Sequence, residues 1–376
     1  MVHQADEVIV VDSGSRGGEA ARIARLSGAH VVALKRNVGL ANGMNVGVAA
    51  TSGDVVAFLN DDAVAGAGWL DTAAARLEDA TLAAIAPKVV LAGRYLEVIL
   101  DDEPYWVAGD SRPLGRRLES ATLSGRDVLG ELVGAGVHAL ETPAPHGSDA
   151  NCPRWRWTAG RVPFYLLLPE GDGNVSLELN GEPIRPRRVV DLMNTAGCYL
   201  RKDGAVGDIG ADAPDDERFD VAEERFSLSG VAFVTTREML HRVGRFESRY
   251  FATYEDADWC WRARLMGLRL VYEPSVQVRH VRGATTSWVP APLLRSLAER
   301  NRVLTLVRNA PVTVAAREAL RLRANGSGSL VAVARMAPRA LVGRMARRSR
   351  HLLTPTEVFE RWAGVDVPPQ AVPAGA

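Results

Sequence analysis

Val55-Val56-Ala57-Phe58-Leu59-Asn60-Asp61-Asp62 decides the fold of this chain. The first five residues are apolar and read as a strand, which ends on an amide and two carboxylates. Upstream, residues 7–11 form a β-rich run closed by Asp12-Ser13-Gly14-Ser15. Residues 19–27 read as a helix, 30–34 as a second strand, 37–39 as a turn, and 41–51 as a helix stopped by Ser52-Gly53. Strands alternating with helices of about ten residues imply βαβ units and a parallel sheet. Carboxylates at the strand ends of such a sheet point into the crevice where ligands bind.

A second acidic cluster lies far along the chain. Glu255-Asp256-Ala257-Asp258 opens an amphipathic helix that leads through Gly267 into a strand-like run at 268–272, with His280 at the end of the run 275–278. Hard divalent ions take oxygen ligands, commonly one or two carboxylates with a diphosphate supplying the rest. Asp61 and Asp62 suit that task, with Asn60 or the spare carboxylate on a ribose; they suit a polar strand-to-turn ending equally well. Acids at 255, 256 and 258 complement a helix dipole. Three in four residues exceed what a cap requires, and their crowding raises a pKa toward that of a base. His280 is a metal ligand or a structural imidazole, and the neighbouring Arg279 and Arg282 match phosphate geometry. Asn37, Gly39, Asn42 and Asn45 form either an ordinary turn with a helix start or a set of amides reading a ribose or base; no P-loop ending follows them.

Composition narrows the field. The 376 residues, 47% hydrophobic, suffice for one large domain or two modest ones, and the net charge of zero gives no electrostatic case for nucleic acid. Charge is uneven, however: residues 292–351 hold 13 arginines against Glu299 and Glu318. Cys152, Cys198 and Cys260 are odd in number and widely spaced, which fits a reducing cytoplasm. The N-terminus lacks a secretory pattern, and no run reaches the roughly 18 apolar residues of a spanning helix. The expectation is a cytoplasmic protein, soluble or peripheral on the membrane.

The alternating rhythm breaks after Lys88-Val89-Val90-Leu91. Residues 155–157, 162–168, 174–180 and 184–190 look like short strands, with turns at 171–173 and Asn180-Gly181. Five segments result: 1–92, an α/β half; 93–190, an inserted β-rich subdomain; 191–291, a second half that resumes the main domain; 292–351, a basic helical appendage; and 352–376, a partly disordered tail. Tyrosine and tryptophan in the insertion stack on a sugar or fill a core. The acidic stretch 201–224 reads as a mobile loop.

The motifs at 8–15, at Asn37-Val38-Gly39 with Asn45 and Gly47, and at Phe58-Leu59-Asn60-Asp61-Asp62 come in a telling order. They continue with Ser229-Gly230, with residues 251–264 around Glu255-Asp256-Ala257-Asp258, and with Val278-Arg279-His280, Gly283 and Thr285. As a set they resemble glycosyltransferase family 2, over about 5–92 and 191–310. Asn301-Arg302 and Arg308-Asn309 are similar to the helix that follows the catalytic domain in rhamnosyltransferase-like members. The resemblance implies a GT-A-type α/β fold, a mixed and mostly parallel sheet flanked by helices. It implies an inverting transfer from a nucleotide diphosphate sugar to a glycan or lipid-linked acceptor, assisted by Mn²⁺ or Mg²⁺. It places Asp12 near the base, Asp61 near the ribose, and Ser13, Asn37, Gly39, Asn45 and Asn60 around the nucleotide sugar. Asp62 and His280 become metal ligands, Asp256 the general base with Glu255 its rival, and Gly230 and Asp258 acceptor-side residues.

Family members begin with a further strand and helix before the Val8 strand. An inner strand cannot vanish without exposing unpaired backbone, so the expectation is a true start upstream rather than a pocket lacking its first strand. A different class of reading is a catalytically impaired glycan-binding or scaffolding protein on the same fold. A sugar nucleotidyltransferase is disfavoured by the absence of a Gly-rich, basic triphosphate loop. The basic helices of 292–351 either rest on an anionic membrane surface or form a solvated appendage.

Overall fold

The structure is a computed structural model that describes residues 5–141, 154–169, 175–282 and 290–368. The turn expected at 171–173, Cys152, Gly283, Thr285 and the tail beyond 368 lie outside the described residues. Two compact units divide the chain. Among the described residues, one comprises 5–89, Thr195–Ile209 and Glu217–Val367; the other comprises Val90–Asn194 and Gly210–Asp216.

The chain begins with β1 (Ile9–Asp12), α1 (Glu19–Leu26), β2 (His30–Ala33), α2 (Leu40–Ala50), β3 (Val55–Leu59), β4 (Ala63–Ala65), α3 (Trp69–Arg76) and β5 (Leu82–Leu91). Short strands follow: β6 (Tyr95–Val98), β7 (Arg117–Leu118), β8 (Ala121–Leu123), β9 (Arg126–Asp127), β10 (Arg156–Trp157), β11 (Phe164–Leu167), β12 (Leu177–Leu179), β13 (Glu182–Ile184), β14 (Arg188–Val190) and β15 (Met193–Thr195). Then come β16 (Cys198–Leu200), β17 (Val206–Asp208), β18 (Glu223–Glu224), β19 (Ala232–Thr236), α4 (Arg237–Val243), α5 (Glu255–Leu265) and β20 (Arg269–His280). The C-terminal helices are α6 (Ala291–Asn309), α7 (Val312–Ala324), α8 (Ser329–Arg347) and α9 (Pro355–Trp362).

The first unit is α/β, a mixed sheet flanked by helices. Its main sheet runs β18–β20–β5–β19–β3, with β4 on β20, while β1 and β2 pair in parallel as a separate ribbon. β19 is antiparallel to both β3 and β5, so those two strands run the same way with a reversed strand between them. The parallel share is therefore smaller than βαβ alternation suggests, because β19 arrives from the far side of the second unit in sequence and inserts at the centre. Its side chains alternate between two cores, as strand geometry requires. Phe233 packs with Ala41 and Met44 of α2, Leu240 of α4 and Trp259 of α5. Ala232 and Val234 pack with Trp69 and Ala73 of α3. The sheet is thus covered by helices on both faces.

α6 to α9 belong to this same unit. Leu306 of α6 shares a core with Trp261 and Leu265 of α5 and Trp362 of α9. Val303 and Leu304 pack with Tyr250 and with Val333 and Ala340 of α8. Among the described residues no helix is long and apolar enough to cross a membrane.

The second unit is β-rich and has its own core, including Val98, Leu118, Leu123, Leu129, Phe164 and Leu166. β11–β6–β14 and β13–β12–β8–β9 form its two larger antiparallel sheets. Asn180 (φ 53°) and Gly181 (φ 79°) join β12 to β13 as a two-residue turn. Both residues are left-handed, the geometry for which Asn-Gly is the preferred pair. Tyr165 is core, and Trp155 donates its indole N–H to Glu141 at 3.0 Å.

Candidate active site

Two hydrogen bonds made by residues just before β19 bring the distant acidic clusters together. The amide of Asn60 donates to the carbonyl of Val231 at 2.9 Å, and the amide of Gly230 donates to Oδ2 of Asp256 at 2.7 Å. Both clusters therefore border residues 229–231. Asp62 is fixed by a 2.8 Å bond from the Val281 amide to its carbonyl, and its Oδ1 stands 3.0 Å from Nε2 of His280. β4 pairs with β20 so that Ala63 faces His280, and this register holds the two side chains side by side.

Asp256 sits at the first turn of α5. Burial pushes its pKa up, while the amides of Gly230 and Ala257 (2.7 Å to Oδ1) pull it down. Glu255 is only 4% exposed, and its Oε2 has no hydrogen-bond partner. Burial first, and then the charge of Asp256, raise its pKa well above the carboxylate range. Gly230 allows the close approach of the Asp256 carboxylate, since a Cβ there would lie 3.2 Å from Oδ2.

A third carboxyl was not legible in the sequence. Asp208 ends β17, which pairs with β16, and burial lifts its pKa from 3.8 to about 6. A hydrogen bond from Thr195 opposes that rise, and the charge of Asp256 adds to it. The sequence reading assigned 201–224 to a mobile acidic loop. Nothing local distinguishes Asp208 from its acidic neighbours; only the β16–β17 pairing does.

The segment before α5 is strained. Phe251 (φ 66°), Thr253 (φ 70°) and Tyr254 (φ 68°) all adopt left-handed backbone, uncommon for residues with side chains. Asn301 of α6 holds the segment, donating from Nδ2 to the carbonyls of Tyr250, Ala252 and Thr253 at 2.8–2.9 Å. Arg300 adds bonds to the carbonyls of Arg249 and Tyr250 at 3.1 and 2.9 Å. From the other side Gly39 presses on Phe251; a Cβ at Gly39 would fall 2.3 Å from the Phe251 carbonyl oxygen.

The loops after β1 and β2 knit together beside Gly39. Asp12 Oδ1 accepts from the Ser15 amide at 2.9 Å, Ser13 Oγ accepts from the Val38 amide at 3.0 Å, and Asn37 Oδ1 accepts from the Gly39 amide at 2.8 Å.

Two expected site residues have other tasks. Asn45 spends both ends of its amide on the backbone of Phe246, at 3.0 Å each. Asp258 is fully buried rather than on an acceptor surface. It accepts from Arg262 Nε at 3.0 Å, Arg308 Nε at 2.7 Å and Asn309 Nδ2 at 2.9 Å, and the two guanidiniums hold its pKa far below the usual range. It ties α5 to α6. The two acids two residues apart thus diverge: one borders Gly230, and the other anchors the helix.

Among the described residues no group of three His, Cys, Asp or Glu is placed to hold a metal. Asp62 and His280 nevertheless offer one carboxylate and one imidazole 3.0 Å apart. Adjacent ligands of an octahedral ion with bonds of about 2.1 Å stand about 3 Å apart, so the pair fits two positions on an ion whose other ligands come from a diphosphate and water.

Residues 2–109 match the family model described as Glycosyl transferase family 2. No curated protein matches the chain. Among solved structures, GalNAc-T7 with UDP, GalNAc and Mn²⁺ is similar at 11% identity and a TM-score of 0.48, covering 94% of this chain. The chain spans about half (50%) of that protein's length. The mannosyltransferase PcManGT from Pyrobaculum calidifontis, in complex with GDP-Man and Mn²⁺, is similar at 14% identity and a TM-score of 0.39, over 93% of this chain and 81% of its own. Over residues 2–109 the chain is thus similar to glycosyltransferase family 2.

Proposed function

We propose that the protein is an inverting glycosyltransferase that moves a sugar from a nucleotide diphosphate sugar to a hydroxyl of a glycan or lipid-linked acceptor. The observation that supports this most is the meeting of Asn60 and Asp256 over Gly230 and Val231. It sets a buried carboxylate of raised basicity beside the strand end that carries Asp61 and Asp62.

In this reading Asp12 meets the base, Asp61 the ribose, and Asp62 with His280 a divalent ion, Mn²⁺ or Mg²⁺. Ser13, Asn37 and Gly39 shape the nucleotide loop. The chemistry that an ion would supply is charge neutralisation on the departing diphosphate. Asp256 accepts the proton of the acceptor hydroxyl as that oxygen attacks the anomeric carbon. The bond from that carbon to the diphosphate breaks, and its electron pair leaves with the nucleoside diphosphate. A single displacement inverts the centre. Burial, and then the charge of Asp256, favour the protonated form of Glu255, its rival as the base.

Thermal-shift binding of UDP, dTDP and GDP, each with and without Mn²⁺, tests the donor site. Stabilisation by one nucleotide that needs both the ion and Asp62, and is lost in Asp62→Ala, is the expected result; no shift with any of them sinks the reading. Asp256→Asn should fold normally yet lose about 10²–10⁴ in kcat. Unchanged function in that variant would favour the glycan-binding scaffold. Residence on an anionic membrane through 292–351 belongs to the same proposal, with flotation on anionic liposomes as its test.

A further inference from the structure

A cavity of about 510 Å³ opens beside α2, lined by residues of α2, of 245–249, and of α6 and α8. Its charged lining is five arginines, Arg245, Arg249, Arg308, Arg339 and Arg347, against one carboxylate, Glu247. Asp12, Asp61, Asp62, Asp256 and His280 are not among its lining residues.

The arginines are graded with depth. Arg245 and Arg339 are exposed at the mouth, and Arg308 lies buried at the base. Arg249 and Arg308 are neutralised within the fold, by Glu247 and by Glu247 with Asp258. Arg347 is different: its Nη2 is buried with no hydrogen-bond partner among the described residues. Burial, and then the charges of Arg308 and Arg262, lower its pKa to about 10. Both guanidiniums converge over Gly343. A Cβ there would lie 3.3 Å from Arg347 Nη2 and 3.7 Å from Arg308 Nη1. The glycine therefore leaves open the space between two like charges.

Burying a charged donor without an acceptor is costly, and placing it against a second cation adds to the cost. An anion with several acceptor oxygens relieves both. Guanidinium forks match phosphate oxygens in spacing and plane. We infer that this cavity is a binding site for a phosphate group of an anionic ligand, separate from the donor site, with Arg347 and Arg308 at its floor and Arg245 and Arg339 at its rim. The phosphate comes from a lipid headgroup or from a free ligand. α8 exposes Leu341, Val342 and Met345 nearby in sequence, which suits the lipid source.

The test is calorimetric titration of the full chain with inorganic pyrophosphate at low salt and in EDTA, on wild type, Arg347→Gln, Gly343→Leu and Asp62→Ala. Wild type and Asp62→Ala should bind alike, Arg347→Gln should bind at least about ten-fold more weakly, and Gly343→Leu should not bind. Arg347→Gln is safe for folding, because Nη2 of Arg347 has no hydrogen-bond partner among the described residues to lose; its Tm should equal or exceed that of wild type. Flotation on phosphatidylglycerol and on phosphatidylcholine vesicles separates the sources. Binding to the anionic vesicles alone, competed by pyrophosphate, identifies a headgroup; pyrophosphate binding without vesicle binding identifies a free phosphate ligand. Absence of both, or affinity that is equal in Arg347→Gln and wild type, or that is lost in Asp62→Ala, overturns the inference.

Discussion

At the scale of single residues, the site is a problem of keeping three carboxyls together. Asp256 borders Gly230, Glu255 is buried without a partner for one oxygen, and Asp208 feels the charge of Asp256. Asp208 gives the cleanest test. Its folded pKa, about 6, lies above the ordinary 3.8, so between those values the folded state holds more protons than the unfolded one. Stability then falls as pH rises through this window. Asp208→Asn removes the penalty, and its Tm should exceed that of wild type at pH 7.5 by the equivalent of about 1 kcal/mol, discounted for partial exposure. The gap should close below about pH 3, where Asp208 is protonated in both states. Melting curves at about pH 3 and 7.5 decide it: an equal gap at both pH values, or no gap at either, contradicts a buried, proton-holding Asp208. Sequence reading singles out Asp256 and Asp62 as candidates because each sits in a cluster at the edge of a regular element. It missed Asp208, an acid among many, whose setting depends on a partner strand. It also made Asp258 an acceptor-side residue, since the partners Arg308 and Asn309 lie some fifty residues away in the chain.

At the scale of elements, α5 delivers Asp256, and the strained segment before it sets the delivery. Three left-handed residues that are not glycine persist only if the surroundings impose them, each costing about 1–3 kcal/mol. Asn301 is that restraint, with three backbone carbonyls on one buried amide group. Asn301→Ala strands those carbonyls and should cost about 2–3 kcal/mol in urea unfolding. The released segment also loosens Asp256 from the Gly230 amide, so kcat should fall while the nucleotide Kd stays near the wild-type value. A loss of stability with unchanged kcat would reduce Asn301 to a packing residue. None of this strain was readable from sequence, because Phe251, Thr253 and Tyr254 carry no turn signature. The Asn180-Gly181 hairpin in the second unit is the opposite case: there the residues themselves dictate the backbone, and the turn was legible at once.

At the scale of the whole molecule, the basic C-terminal region reads from sequence as an appendage and is built as part of the first unit. Several of its arginines are spent internally. Arg302 pairs with Glu318, Arg308 with Asp258, and Arg344 closes the end of α6 by donating to the carbonyls of Val307 and Ala310. Amphipathic spacing showed that these helices bury one face but not what covers it, so a solvated appendage was an equal reading. The covering surface is α5 itself, through Trp261 and Leu265 against Leu306, Val358 and Trp362. A chain stopped after Val281 would expose those side chains and leave Asp258 with Arg262 as its only guanidinium. Each large apolar side chain returned to water costs about 1.5–3 kcal/mol, and losing one partner of a buried ion pair costs about 3–5 kcal/mol. Together these approach the 5–15 kcal/mol by which a typical domain is stable. The truncated chain should therefore show no cooperative melting transition for the first unit and no nucleotide-dependent shift. The second unit, with a core of its own, should keep its β-rich circular dichroism. A truncated chain that still melts cooperatively and still binds nucleotide would return α6–α9 to the status of an appendage. It would also free their arginines from any structural duty, and the clamp on Asp256 would have to come from elsewhere.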